Sequence, residues 1–167
     1  MRYELITAPP AATVNAVLDV LRAYNRQHNA TFYAVRERPE NAVRSLHVVA
    51  YDDDDGGAGG GGTVVGGALG ESQFKWMKVE YLAVRDDLRG RGVGRRLMEE
   101  VEAEARRRGC SYVFLDTMSY QAPEFYRKLG YRVAGEIADW DSHGNGKYFF
   151  VKTLGGNPND ETRNPNQ

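Results

Sequence analysis

The sequence holds a single cysteine, Cys110, among its 167 residues. One thiol excludes an internal disulfide framework and fits a reducing, cytoplasmic setting. An excess of one charge is also missing. The 22 basic side chains face 23 acidic ones, for a formal net charge of -1. That balance makes no electrostatic case for a nucleic acid or an anionic membrane as partner. No apolar run approaches the roughly 18 residues a membrane span needs. No charged-then-apolar leader is visible either, so no signal peptide is expected. The three histidines, His28, His47 and His143, are scattered. With one cysteine they offer no metal-ligand spacing, so no metal is expected. Internal repeats are absent. A chain near 150 residues buries roughly 70% of its unfolded surface and needs no covalent staples.

Several elements can be read along the chain. Tyr3, Glu4, Leu5 and Ile6 read as a short first strand, ended by Pro9 and Pro10. Val14, Val17, Leu18 and Leu21 recur at helical spacing and predict a helix over residues 12–24, with Thr13 or the prolines suited to its start. Residues 25–45 are ambiguous, with a break at Arg38 and Pro39. Residues 46–51 and 63–69 predict two strands of a hairpin. Between them lies an aspartate-rich and then glycine-rich tract, 52–62, which reads as a solvated, mobile loop. The aspartates lack the alternate-position ligands and the twelfth-position glutamate of an EF-hand.

Residues 75–84 predict a longer strand. Alternation puts Trp76, Lys78, Glu80 and Leu82 on one face and Met77, Val79, Tyr81 and Ala83 on the other. A helix follows, with Val93, Leu97, Met98, Val101 and Ala105 as its apolar stripe. Arg95 with Glu99, Arg96 with Glu100, Glu102 with Arg106 and Glu104 with Arg108 stand four apart on its expected wet side. Gly109 suits its C-terminal cap. Residues 112–115 form a nearly continuous apolar run, as in a buried strand. A short helix is expected over 122–129, then strands over 132–137 and 147–154 joined by a polar loop at 139–146. The composition of residues 155–167 predicts a disordered tail, leaving residues 1–154 as one domain.

The segment that carries chemistry is the junction between the long strand and the long helix. Arg89, Gly90, Arg91, Gly92, Val93 and Gly94 occupy it. Glycines let backbone N–H groups converge without Cβ atoms in the way. A helix N-terminus adds unpaired N–H groups and the positive dipole end. Together they make an anion site suited to a diphosphate, with Arg89, Arg91 and Arg95 adding positive charge nearby. Taken alone, the same run also reads as a turn that merely starts a helix. A Walker loop is excluded because no Gly-Lys-Ser/Thr follows. The Gly-x-Gly-x-Gly spacing also departs from the dinucleotide fingerprint, despite Asp116 at a suitable distance downstream.

Arg89, Gly92 and Gly94, followed by Ala122, Phe125-Tyr126 and Gly130-Tyr131 with a helix and a strand between, resemble the two marks of the GNAT superfamily of N-acetyltransferases. The resemblance covers about residues 46–154 and is to its small single-domain bacterial members. It implies an α+β fold: a mostly antiparallel mixed sheet with a parallel split between the central strands, flanked by helices. It implies acetyl-CoA as co-substrate, lying in the split between the strands at 75–84 and 112–116. Leu82, Ala83 and Val84 would offer backbone contacts to the pantetheine arm. The N–H groups of Arg91, Gly92, Val93, Gly94 and Arg95, in the loop that begins at Arg89 and Gly90, would hold the pyrophosphate. Many members carry asparagine as one contact to the arm where this chain has Ser119.

The implied reaction is direct attack of an amine on the thioester. Tyr126 stands at the family's general-acid position, and it also reads as a packing aromatic beside Phe125. Glu80 is the candidate base, set against a plain surface pairing with Lys78; Glu71 and Asp116 are weaker candidates. Cys110 reads as packing. Trp76, Tyr33 and Tyr120 are candidate acceptor-site residues, with Glu71 or Asp139 able to attract a cationic amine. The implied partner is a small-molecule or peptide amine, and a homodimer stays open because the family often dimerises. The alternatives are a catalytically silent acyl-CoA-binding sensor, and a protein-interaction module, for instance an acyltransferase acting on a macromolecular partner such as a protein N-terminus or charged tRNA.

Overall fold

A computed structural model describes residues 1–52 and 62–155. The expected mobile loop, apart from its first and last residues, and all but the first residue of the expected tail lie outside the described residues. The chain divides into two compact units, Met1–Ala42 and Val43–Gln167.

The first unit is helical. Helix α1 spans Ala11–His28, four residues beyond the sequence expectation. Pro10 starts it, its carbonyl accepting from the N–H groups of Thr13 and Val14 at 2.9 and 3.2 Å. His28 extends its far end, with Nδ1 2.8 Å from the Tyr24 carbonyl and the two rings stacked at 3.9 Å. Asn29 then does two jobs. Its N–H closes α1 on the Asn25 carbonyl, and its side chain caps α2 (Ala30–Arg36) by accepting from the Phe32 N–H at 3.0 Å. That asparagine is the start signal hidden in the ambiguous region. A 3₁₀ turn, Pro39–Asn41, follows. Residues 3–6 form no strand. A strand exists only by pairing, and no strand of the sheet pairs with them.

The second unit is a six-stranded mixed sheet in the order β1-β2-β3-β4-β6-β5. Its strands are β1 (Arg44–Asp52), β2 (Thr63–Gln73), β3 (Trp76–Val84), β4 (Tyr112–Met118), β5 (Arg132–Ile137) and β6 (Lys147–Thr153). Every neighbouring pair is antiparallel except β3 and β4, which run parallel. The expected mixed α+β sheet with a parallel centre is therefore present. Helix α3 (Val93–Arg107) is the crossover between β3 and β4, and the short helix α4 (Pro123–Lys128) follows β4.

The core lies on one face of this sheet. Met77, Val79, Val113, Leu115 and Phe150 from the strands meet Leu97, Met98, Val101 and Ala105 from α3. The apolar stripe of α3 is the one its sequence spacing predicts. Its polar side differs from expectation. Glu102 is buried, with only 7% of its surface exposed, rather than wet. It accepts from Lys152 Nζ at 2.7 and 2.8 Å and from the Tyr131 hydroxyl at 3.2 Å. A buried carboxylate needs such partners. The pairs of Arg96 with Glu100 and Glu104 with Arg108 form, each at 2.5 Å. Arg95 makes no ion pair among the described residues, and Glu99 stands 3.6 Å from Arg96 instead.

Candidate functional site

Strands β3 and β4 pair over only four residues, from Trp76 opposite Tyr112 to Val79 opposite Leu115. Both strands continue, β3 to Val84 and β4 to Met118, but apart. A bulge lies where they part. On the other edge of β3, Leu69 faces Tyr81 while Gly70 faces Val79, so Glu80 has no partner on β2. A bulge bends and twists its strand, and this one sits where the pairing with β4 stops. Gly70 permits it: a Cβ there would stand 2.0 Å from the Lys78 carbonyl oxygen. Beyond the bulge, the edge of β3 that faces β4 presents backbone groups that no strand satisfies. Such groups require other partners.

The bulge also corrects the expected faces of β3. Met77 and Val79 point into the core, and so do Leu82 and Val84, which pack against it. The extra residue shifts the alternation by one, so Glu80 and Tyr81 are both exposed and Leu82 no longer shares a face with Lys78.

From Val84 the chain passes through a 3₁₀ turn, Asp86–Leu88, into the glycine run. Gly90 and Gly92 have φ of 75° and 89°, the left-handed region that favours glycine. Gly92 is the N-cap of α3, and no side chain caps the helix. The first helical bond runs from the Arg96 N–H to the Gly92 carbonyl at 2.9 Å. The amides of Val93, Gly94 and Arg95 therefore have no acceptor within the helix. They point out of the helix end that follows β3, at the open end of the split. Arg89 is held by Asp86 at 2.9 Å and by the Val84 carbonyl at 3.4 Å. Arg91 and Arg95 are exposed and make no ion pair among the described residues, which leaves their charge for another anion.

The β4 side of the split carries Tyr126. Gln121 fixes the turn ahead of α4, its Oε1 accepting from the Thr117 hydroxyl at 2.9 Å and the Met118 N–H at 2.8 Å. Tyr126 lies edge-on to Phe125 at 5.1 Å and to Tyr131 at 6.0 Å, and 5.7 Å from Phe150. It is 7% exposed. Burial, with the charge of Asp116 second, pushes its hydroxyl up to about 12. No hydrogen bond to this hydroxyl is formed among the described residues. Yet none of their side-chain polar atoms is both fully buried and without a partner. The hydroxyl thus keeps an opening to the outside. Phe125 links it to the loop, since its ring lies 3.4 Å from where a Cβ on Gly94 would be.

Glu80 is exposed at the bulge and accepts from Lys78 Nζ at 2.8 Å. That hydrogen bond, more than any other influence, raises the Lys78 ammonium above its usual range. Asp116 is bound by Lys147 at 2.7 Å. Ser119 is exposed, and its N–H is spent on the Gly146 carbonyl at 2.8 Å. Cys110 is buried, and burial pushes its thiol up, away from nucleophile chemistry.

The acceptor candidates are less gathered. Trp76 stacks on Tyr112 at 4.6 Å, and Glu71 lies opposite Lys78 in register. Tyr120 is exposed. Asp139 is used within its own loop, accepting from the Gly144 N–H at 2.6 Å. Tyr33 belongs to the first unit, under Arg26 at 5.4 Å. Sequence reasoning missed the bulge at Glu80 and the role of Gln121. The small residues opposite β3 were the only signal for the bulge, and nothing local marked Gln121.

Residues 44–133 match the model of an acetyltransferase (GNAT) domain. The chain is 35% identical over 135 residues to a blasticidin-S acetyltransferase of Streptomyces morookaense, covering 80% of this chain and 96% of that protein. It is 29% identical over 142 residues to an acetyltransferase of Agrobacterium fabrum, covering 85% and 92%. Among solved structures, an acetyltransferase from Bacillus cereus superposes with a TM-score of 0.70 at 26% identity, over 90% of this chain and 97% of that one. With its split sheet and glycine-capped helix, the chain belongs to the GNAT family and is an acetyl-CoA-dependent N-acetyltransferase.

Proposed function

We propose that the protein acetylates a primary amine on a small molecule or peptide by direct attack, with the co-substrate seated in the split between β3 and β4. The observation that carries this reading is a coincidence of place. The backbone edge freed by the Glu80 bulge ends at Val84, and Val84 Cγ2 lies 3.7 Å from where a Cβ on Gly94 would be, in the uncapped first turn of α3.

Leu82, Ala83 and Val84 hold the amides of the pantetheine arm as a neighbouring strand would. The amides of Val93, Gly94 and Arg95, with the loop from Arg89 through Gly90, Arg91 and Gly92, hold the pyrophosphate, and Arg91 and Arg95 balance its charge. Ser119 flanks the arm from the β4 side.

Acetyl-CoA supplies an acyl group on a thioester. Glu80 takes the proton of the incoming ammonium, through water, at its carboxylate. Tyr126 presents its hydroxyl to the departing sulfur. With its hydroxyl pushed up to about 12, Tyr126 stays protonated throughout the working range. A free thiol has a pKa of about 8.5, so complete proton transfer from Tyr126 is uphill by the values in water. The same burial raises a thiolate as well and narrows that gap. Hydrogen-bond donation to the sulfur is therefore the main assistance.

We also place residues 1–154 in one acyltransferase domain. The stretch aligned with the Streptomyces relative is longer than the Val43–Gln167 unit, so it reaches into Met1–Ala42. That relative's name motivates blasticidin S as the first acceptor to try. Thiol release from acetyl-CoA, measured with blasticidin S, polyamines, aminoglycosides, amino acids and lysine peptides, tests the proposal. Turnover with at least one is expected. Tight acetyl-CoA binding with no turnover on any would instead mark a silent acyl-CoA sensor.

A further inference from the structure

Helix α4 has only six residues, too few to hold its shape alone. Its orientation must come from anchors at its ends. Gln121 anchors the start, as described above. The end turns through Gly130, at φ 85°, into Tyr131, whose N–H donates to the Tyr126 carbonyl at 3.0 Å. Tyr131 is 3% exposed, and its hydroxyl donates to Glu102 on α3 at 3.2 Å. Glu102 is itself fixed from β6, with Lys152 Nζ 2.7 and 2.8 Å from its two oxygens. Arg106 stands 3.5 Å from it, with Nε donating to the Leu154 carbonyl at 3.2 Å.

This polar cluster stands within a mostly apolar core, and the reaction proposed above makes no use of it. A buried charge cluster is weak support for stability alone, because desolvation offsets much of its attraction. It does fix geometry. Tyr131 reaches Tyr126 twice, through the backbone bond and through the edge-on rings at 6.0 Å.

We infer that Tyr131, held by Glu102, is a positioning residue that sets the Tyr126 hydroxyl on the β4 side of the split. This rests on the proposed role of Tyr126. Loss of the Tyr131 hydroxyl frees the end of α4, lets Tyr126 turn and admits water around its ring. Catalysis suffers while the glycine loop ahead of α3 stays intact.

The test uses Tyr131→Phe in the full chain, with turnover read as thiol release on the fastest amine of the panel. An acceptor-free arm follows the alkaline titration of Tyr126 by NMR of protein carrying ¹³Cζ-tyrosine, assigned with Tyr126→Phe. The inference expects kcat to fall by at least about tenfold, in the range of losing a charge-assisted bond, with the KM for acetyl-CoA unchanged. The Tyr126 midpoint should move from about 12 toward the ordinary tyrosine value. Tyr131→Phe should add nothing once Tyr126 is Phe. Should Tyr131→Phe fail to fold, Glu102→Leu gives the same readouts, and Glu102→Gln, which keeps an acceptor for the hydroxyl, restores most of the loss. An unmoved Tyr126 midpoint in a folded variant overturns the inference, as does an equal loss of kcat in the Tyr126→Phe background. Full turnover in Tyr126→Phe itself overturns the acid role instead, and the NMR midpoint then decides the positioning claim separately.

Discussion

Gly94 faces the ring of Phe125 so closely that a Cβ at Gly94 would stand 3.4 Å from Phe125 Cζ. The contact joins the first turn of α3, on the anion side of the split, to α4, which carries Tyr126. A methyl fits at that distance, and alanine favours a helix over glycine by up to about 1 kcal/mol. Gly94→Ala should therefore fold with unchanged or slightly raised Tm and still bind acetyl-CoA. Gly94→Leu should push the Phe125 ring aside and lower both affinity and turnover. Thermal melts with acetyl-CoA titrations of both variants check this. A leucine variant that matches wild type in both would mean that the contact does not couple the two sides.

Tyr126→Phe keeps the ring and removes the donor. We expect kcat to fall on the order of 100-fold, as for loss of a positioned proton donor, with acetyl-CoA affinity nearly unchanged. The pH profile follows from the groups involved. An alkylammonium acceptor titrates at about 10 and enters charged, its proton taken at Glu80, so kcat/KM should stay nearly flat from pH 6 to 9. It should not fall before pH 10, because the Tyr126 hydroxyl is pushed up to about 12. The same raise has a stability sign. The folded state favours the neutral hydroxyl, so that contribution is complete below the unfolded value of ~10 and is lost as pH climbs toward 12. Urea titrations across pH 9 to 12 should thus show a shallower alkaline loss for Tyr126→Phe than for wild type. Tyr131, raised further by burial and by the charge of Glu102, contributes to the slope that remains.

Arg108 ties the end of α3 to the first hairpin. Its side chain donates to the carbonyls of Arg44 and Ser45 and to the Ser72 hydroxyl, each at 3.0 Å, and pairs with Glu104 at 2.5 Å. Ser72 is 2% exposed. Arg108→Ala removes the donor these three groups share and should cost about 2–4 kcal/mol in denaturant midpoint analysis. The KM for acetyl-CoA should hold in the folded fraction, since Arg108 lies at the opposite end of α3 from the glycine run. A loss under 0.5 kcal/mol, the size of an ordinary surface change, would show that the tie is slack.

What the sequence showed depended on how local the signal was. The glycine run, the apolar stripe of α3 and the Phe125-Tyr126 pair are written in consecutive or helically spaced residues, and the structure puts each where that spacing implies. The faces of β3 were misread because one unpaired residue, Glu80, inverts the alternation after it. The bulge is set by Gly70 on another strand, where a side chain would strike the Lys78 carbonyl. Glu102 was read as wet because Arg106 stands four residues on. Its other partners, Tyr131 and Lys152, lie 29 and 50 residues away and leave no local trace. Helix α2 was missed because its cap, Asn29, also ends α1, so no polar break separates the two.

Gly92 offers the most direct test of where the pyrophosphate sits. Its φ of 89° disfavours any residue with a side chain, but no atom lies within 4 Å of where its Cβ would be. Gly92→Val should fold, at a backbone cost of about 1–2 kcal/mol, while its loop amides turn away from their common point. Titration calorimetry of acetyl-CoA and of acetyl-pantetheine, which lacks the pyrophosphate, separates the two halves of the site. Wild type should bind acetyl-CoA far more tightly than acetyl-pantetheine. Gly92→Val should lose that advantage and bind both alike. Undiminished acetyl-CoA affinity in folded Gly92→Val would place the pyrophosphate elsewhere.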